Sequence, residues 1–188
     1  MKEMYRYIQQ FGNLEPSQLD LIAGSGREIF LKKDSYFSQA GKIPREVGFV
    51  IKGIFRGCYY TDEGEDITRC FIAENSMVCD YLNFESENFS SEYIQALTDC
   101  RVIVFNKYQW EELSRNVSGW DSIKNKMVQA CMYQKSRKGP VISKDAASRY
   151  LDFLKNFPLV INRVPLSYVA SYLGITQQSL SRIRKNIQ

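Results

Sequence analysis

From Arg27 to Phe105 the chain runs in short segments rich in β-branched and aromatic residues. They are Glu28–Leu31, Val47–Lys52, Ile54–Tyr60, Ile67–Ile72, Glu92–Leu97 and Arg101–Phe105. Several alternate apolar and polar positions, the period of a half-buried strand. Turn residues separate them: Lys33-Asp34, Ala40-Gly41-Lys42 with Pro44, Lys52-Gly53 and Asp62-Glu63-Gly64. The last of these reads as a hairpin loop with Gly64 in a left-handed conformation. Strands recurring roughly every 8–12 residues predict a sandwich or jelly-roll barrel. Ahead of them, Met4–Phe11 is weakly helical, and Glu15–Ile22 has Pro16 at a helix start followed by an apolar face.

The period then lengthens. Tyr108–Leu113 reads as a short helical turn, broken by Asn116-Val117-Ser118-Gly119. A long helix is predicted from Trp120 to Lys138, where Gly139-Pro140 ends it. Trp120, Ile123, Met127, Ala130, Cys131 and Gln134 recur at spacings of three or four and share one stripe, with Lys124, Lys126 and Lys135 off it. Periodicity leaves two uses of the stripe open, packing onto the protein's own barrel or a coiled-coil dimer seam. Lys144–Lys155 is a further amphipathic helix. Its expected buried side is Ala147, Tyr150, Leu151 and Leu154, with Ser143 or Asp145 as N-cap and Pro158 beyond its end.

Val164–Ile187 reads as a helix, a turn and a second helix. Pro165 suits a helix start, and Ala170 is small where two helices cross closely. Gly174, four residues on, supplies the positive φ of a tight turn, Ile175 enters the turn's core and Thr176 caps the second helix. Leu180, Ile183 and Ile187 form that helix's expected buried stripe, facing Val169, Tyr172 and Leu173. These are the spacing requirements of a helix-turn-helix. The outward face carries Gln177, Gln178 and Arg182, side chains that pair with base edges in a major groove. Thr176, Ser179, Ser181, Arg184 and Lys185 beside them suit phosphates. A solvated αα-hairpin is the plainer alternative.

Charge favours the first of these. Residues 1–123 hold 13 Lys/Arg against 19 Asp/Glu, and residues 124–188 hold 12 against 2, so an acidic body precedes a basic C-terminal third. No acidic residue lies between Arg163 and Gln188 to repel a polyanion. Five cysteines, none in a C-x-x-C pair, are expected to be reduced core thiols. The absence of histidine excludes Ser-His-Asp and Cys-His catalysis and histidine-held zinc or haem. No acidic pattern suggests a metal site, so no enzyme is expected and no cofactor is called for. No window approaches the roughly 18 apolar residues of a membrane span, and no apolar run of signal-peptide length follows the N-terminus. A cytoplasmic protein without membrane contact is expected.

An acidic β-roll, a connecting helix and a basic helix-turn-helix together resemble the Crp/Fnr family of bacterial transcription regulators. The likeness is strongest in Val164–Ile187 and good around Val47–Arg56. It implies an α+β fold: an N-terminal β-roll sensor of the jelly-roll, double-stranded β-helix type (1–115), a dimerisation helix (116–139) and a helix-turn-helix domain (140–188). That last domain would lack a complete wing, since the sequence stops at Gln188. The resemblance further implies a homodimer on double-stranded DNA bearing an inverted repeat. It makes Gln177, Gln178 and Arg182 the base-reading positions, the 120–134 stripe the dimer interface, and RNA polymerase a further partner. In the family's cyclic-nucleotide members, a Gly-Glu pair and an Arg-Ser or Arg-Thr pair hold the ligand's ribose and phosphate. Those positions fall here on Cys79-Asp80 and Ser90-Ser91. With a side chain at Cys79, no cation at Ser90, and Glu85, Glu87 and Glu92 nearby, no cyclic nucleotide is expected. An unidentified small-molecule effector remains compatible with the barrel. The alternative to a regulator is a cupin-like, non-enzymatic ligand-binding or interaction module without DNA contact.

Overall fold

The computed structural model describes residues 1–136 and 144–187. The expected stop at Gly139-Pro140, the end of the long helix at Lys138, the Ser143 cap and the terminal Gln188 lie outside the described residues.

Eight strands form two antiparallel four-stranded sheets. β1 (Arg27–Leu31), β8 (Cys100–Asn106), β3 (Glu46–Lys52) and β6 (Met77–Val78) make one, in that order. β2 (Tyr36–Ser38), β7 (Tyr93–Ala96), β4 (Phe55–Tyr60) and β5 (Asp66–Ile72) make the other. The expected strands are all present; the two shortest, β2 and β6, escaped the sequence reading. Gly64 turns the β4–β5 hairpin with φ +82°.

The faces of the first sheet explain its sequence. Val102 and Val104 of β8 and Val50 of β3 point into the roll, where they meet Phe55, Ile72, Ile94 and Ala96 and fill it. Ile103 and Phe105 of β8 and Val47 and Phe49 of β3 point the other way, under helices. A strand buried on both faces reads as a continuous apolar run, as Val102–Phe105 does. The covering helices are α1 (Lys2–Gln9), α2 (Pro16–Ser25), α4 (Lys107–Asn116) and α5 (Trp120–Ser136). Reciprocal capping boxes start two of them, Glu15 with Gln18 on α2 and Asn106 with Gln109 on α4. The α4 box carries the helix well beyond the short turn expected at Tyr108–Leu113.

α5 puts most of its stripe on the protein's own core, one of the two uses that the periodicity left open. Trp120, only 1% exposed, and Ile123, Met127 and Cys131 are buried in the protein's own core against α1, α4 and the first sheet. Of the expected seam only Ala130, half-buried, and Gln134, exposed, remain at the surface. The stripe covers the apolar face of β3 and β8. Lys135 was expected off the stripe and is instead buried. It stands four residues beyond Cys131, so its stem follows the stripe inward.

The C-terminal helices are α6 (Ala146–Asn156), α7 (Leu166–Leu173) and α8 (Gln177–Ile187). Asp145 caps α6 by accepting from the N–H groups of Ala147 and Ser148. Its buried side is Tyr150 and Phe153, whereas Ala147 and Leu151 are exposed. The helix is rotated because Phe153 must reach Phe71 of β5, 5.7 Å between ring centroids. Phe71, Ile54 and Leu97 of the roll join Tyr150, Phe153, Val169, Leu173 and Leu180 in a single cluster. The helical segment therefore shares its core with the second sheet. All five cysteines are buried free thiols; burial pushes the Cys131 thiol up to about 11, so it is no thiolate nucleophile at neutral pH. Among the described residues no helix is long and apolar enough to cross a membrane, and no cluster of potential metal ligands occurs.

Candidate functional site

α7 and α8 form the predicted two-helix unit. α7 ends at Gly174, in the left-handed region at φ +64°, ψ +40°. The Gly174 N–H donates to the Ser171 carbonyl at 3.2 Å and the Ile175 N–H to the Ala170 carbonyl at 3.1 Å. That pair of bonds is a Schellman ending, and it turns the chain sharply into α8. Arg149 of α6 donates to the Leu173 carbonyl at 2.6 Å, which ties a third helix to the corner. Thr176 starts α8: its hydroxyl accepts from the Ser179 N–H at 3.1 Å and donates to the Ser179 hydroxyl.

Leu180 is fully buried beneath α8, and Ile183 packs partly beside it. Ile187, expected in the same stripe, is 41% exposed, because the helix runs past its neighbours in its last turn. Gln177, Gln178, Ser181, Arg182 and Lys185 are exposed together on the opposite side. Ser179 and Arg184 are half-buried. Thr176 gives its hydroxyl proton to the Ser179 oxygen, whereas Ser179 only accepts there, so the readiest donors for an anion are Ser179, Ser181, Arg184 and Lys185. No described acidic side chain stands on α7 or α8. The face presents two amides and a guanidinium in one row, edged by cations. Side chains of these types can pair with the edges of bases.

The second predicted site lies across the roll. Asp80 precedes α3 (Tyr81–Ser86). Its carboxylate accepts from the Ser90 hydroxyl at 2.6 Å and the Asn83 amide at 2.8 Å, and the Lys135 ammonium lies 3.9 Å away. Cys79 is fully buried against the Glu46 carbonyl. The structure thus brings Cys79, Asp80 and Ser90 together and leaves Ser91 exposed outside. The region is less acidic than its sequence suggests. Glu92 pairs with Arg69, Glu87 pairs with Lys107, and Lys135 arrives from α5. The hydroxyl and the cation that would meet a ligand here come from the protein itself.

A third constellation was not foreseen. Arg56 of β4 is buried; it binds Asp66 through both nitrogens, at 2.6 and 2.7 Å, reaches Gln95 and Thr68, and stacks on Tyr168 of α7 at 3.7 Å. Ser171 of α7 accepts from the Thr68 N–H and donates to the Asp66 carbonyl. Arg163 clasps Glu74 at 2.6 and 2.9 Å. Burial pushes the Glu74 carboxyl up, but bonds from Arg163 and the Gly53 N–H outweigh this and hold it below its ordinary value. These contacts fix the two-helix unit against β4 and β5. One signal was available, a lone arginine inside the apolar run Ile54-Phe55-Arg56-Gly57-Cys58.

Residues 28–116 match the cyclic nucleotide-binding domain family. The match covers the roll and α4 and stops short of α5. No curated protein matches the chain in sequence. Among solved structures, FixK2 from Bradyrhizobium japonicum is similar with a TM-score of 0.70 and 14% identity, over 86% of this chain and 84% of that one. CLP from Xanthomonas campestris, a c-di-GMP-responsive global regulator, is similar with a TM-score of 0.70 and 12% identity, over 93% and 92%. The catabolite activator protein of Thermus thermophilus follows with a TM-score of 0.58 and 15% identity, over 94% and 85%. The chain has the fold of these proteins along nearly its whole length.

Proposed function

We propose that this protein is a sequence-specific, DNA-binding transcriptional regulator of the Crp/Fnr type that acts as a homodimer. The exposed row Gln177, Gln178 and Arg182 on α8 carries the reading. Each protomer would seat α8 in a major groove, and the two-fold axis would make the operator an inverted repeat with half-sites about one helical turn apart. Lys185, Arg184 and Ser181 would bind phosphates. The work is recognition without catalysis, in the cytoplasm, with RNA polymerase as the protein partner at the promoter.

The roll would not sense a cyclic nucleotide. A ribose hydroxyl would meet an Asp80 carboxylate already bonded by Ser90 and Asn83, and a phosphate would find a serine at position 90 in place of a guanidinium. The buried Asp80–Lys135 pair links this segment to α5 through the protein's own charges.

Selection from a random duplex pool, followed by titration of the chosen site at 50 and 200 mM salt, tests the proposal. Binding should weaken by several orders of magnitude across that range, as several phosphate contacts per dimer require. Arg182→Ala should cost about 1–3 kcal/mol on the selected site and relax preference at one base pair per half-site. Lys185→Ala should weaken all sequences alike. Salt-insensitive or undetectable binding would leave the interaction module as the reading.

A further inference from the structure

The connection from β2 to β3 builds a cleft that the DNA-binding proposal does not use. It has a volume of about 190 Å³ and is lined by Tyr36, Ser38, Gln39, Lys42, Arg45 and Glu46, with Phe37, Ile43 and Pro44 as its apolar wall. One water needs only about 10–15 Å³, so the space admits a larger guest.

Its lining includes a buried polar side chain without a partner. Ser38 is 7% exposed, lines the cleft, and its hydroxyl has no hydrogen-bond partner among the described residues. A buried hydroxyl without a partner costs about 1–3 kcal/mol. The pairing of β2 with β7 shifts register between Tyr36 and Ser38, an irregularity of the kind that re-aims a side chain.

The charge around this hydroxyl is positive. Lys42 and Arg45 both line the cleft, and the one carboxylate of the lining, Glu46, is neutralised by Arg27 at 2.5 Å. Arg45 makes no ion pair within 4 Å among the described residues, although its charge reaches Glu87. Lys42 donates to the Gln39 side chain. The loop is held in shape: the Gly41 N–H donates to the Ser90 carbonyl at 2.8 Å and the Ser90 N–H to the Lys42 carbonyl at 2.9 Å. Gly41 allows this at φ +76°.

We propose that this cleft binds a small oxyanion, the phosphate or carboxylate head of a metabolite. Arg45 takes it through its planar fork, Lys42 adds a second charge and the Ser38 hydroxyl donates from below. Tyr36 provides a face for the rest of the molecule. The loop is bonded to Ser90, Ser90 to Asp80, and Asp80 pairs with Lys135, so hydrogen bonds link the cleft to that pair. The site is independent of the DNA-binding proposal.

Titration of the full chain with inorganic phosphate and, separately, with succinate at constant ionic strength tests it. Heat of binding and the melting temperature are the readouts. Saturable binding of one or both is expected, and the stronger of the two names the head group. Arg45→Ala should weaken it at least tenfold. Ser38→Ala should raise the melting temperature of the free protein, since the unpaired hydroxyl is gone, and should weaken the anion at least threefold. No saturation with either probe overturns the proposal, as does equal affinity in the wild type and both variants.

Discussion

Lys135 is a charged residue whose place follows from its partner. Its ammonium would not enter a dry corner without Asp80, and Asp80 is already held by Ser90 and Asn83. Lys135→Met should destabilise the protein by about 3 kcal/mol, the low end for breaking a buried pair, because two neutral donors stay on the carboxylate. Denaturant unfolding measures this. A double-mutant cycle with Asp80→Asn should show the two changes coupled, the second costing much less once the first is made. The sequence could not place this pair. Asp80 and Lys135 are 55 positions apart, and a lysine at the edge of an apolar stripe looks like any solvated lysine. The exposure of Gln177, Gln178 and Arg182 was legible for the opposite reason: they belong to one short helix, where local spacing alone fixes the outward face.

At the scale of elements, the corner between α7 and α8 depends on the left-handed turn at Gly174. A Cβ there would have room, the nearest atom being the Arg149 guanidinium at 3.5 Å. Gly174→Ala should therefore cost about 1–2 kcal/mol through backbone strain alone. Its effect on DNA affinity should exceed that on melting, because the angle of α8 changes. The clasp between Glu74 and Arg163 gives the unit's seat on β5 a pH dependence. Glu74 titrates lower folded than unfolded, so its contribution is complete above its ordinary value of 4.5 and is lost as pH falls through the lowered one. The melting-temperature gap between wild type and Glu74→Gln should be constant near neutrality and close below pH 4.5. Strands were readable where one or both faces are buried, as in β3, β5 and β8. β2 and β6, three and two residues long, left too few positions for a period to register. The stripe on α5 was found, but what it packs against was not, because an apolar stripe is the same stripe against a sheet or a second helix.

At the scale of the molecule, the burial of Trp120, Ile123, Met127 and Cys131 redirects the search for a dimer contact. A two-fold partner would have to use the side of α5 that its own roll leaves uncovered, where Ala130 and Gln134 lie beside the exposed Tyr133. Ala130→Arg should shift the protein to monomer in sedimentation, with its melting temperature little changed. It should reduce operator affinity at least tenfold, since two linked helices bind as one ligand. An unchanged sedimentation coefficient would put the interface elsewhere.

The cluster around Phe71 carries a consequence for anyone who would move these parts. α6, α7 and α8 complete their interior with Ile54, Phe71 and Leu97, which belong to the roll. Cut away at residue 144, the segment would expose that apolar surface and lose the clasp on Glu74. Transplanted to another protein of this fold, it would need a host strand with an aromatic in the place of Phe71, an arginine under Tyr168 and a carboxylate for Arg163. A swap made at residue 144 alone carries the row Gln177, Gln178 and Arg182 but leaves its seat behind.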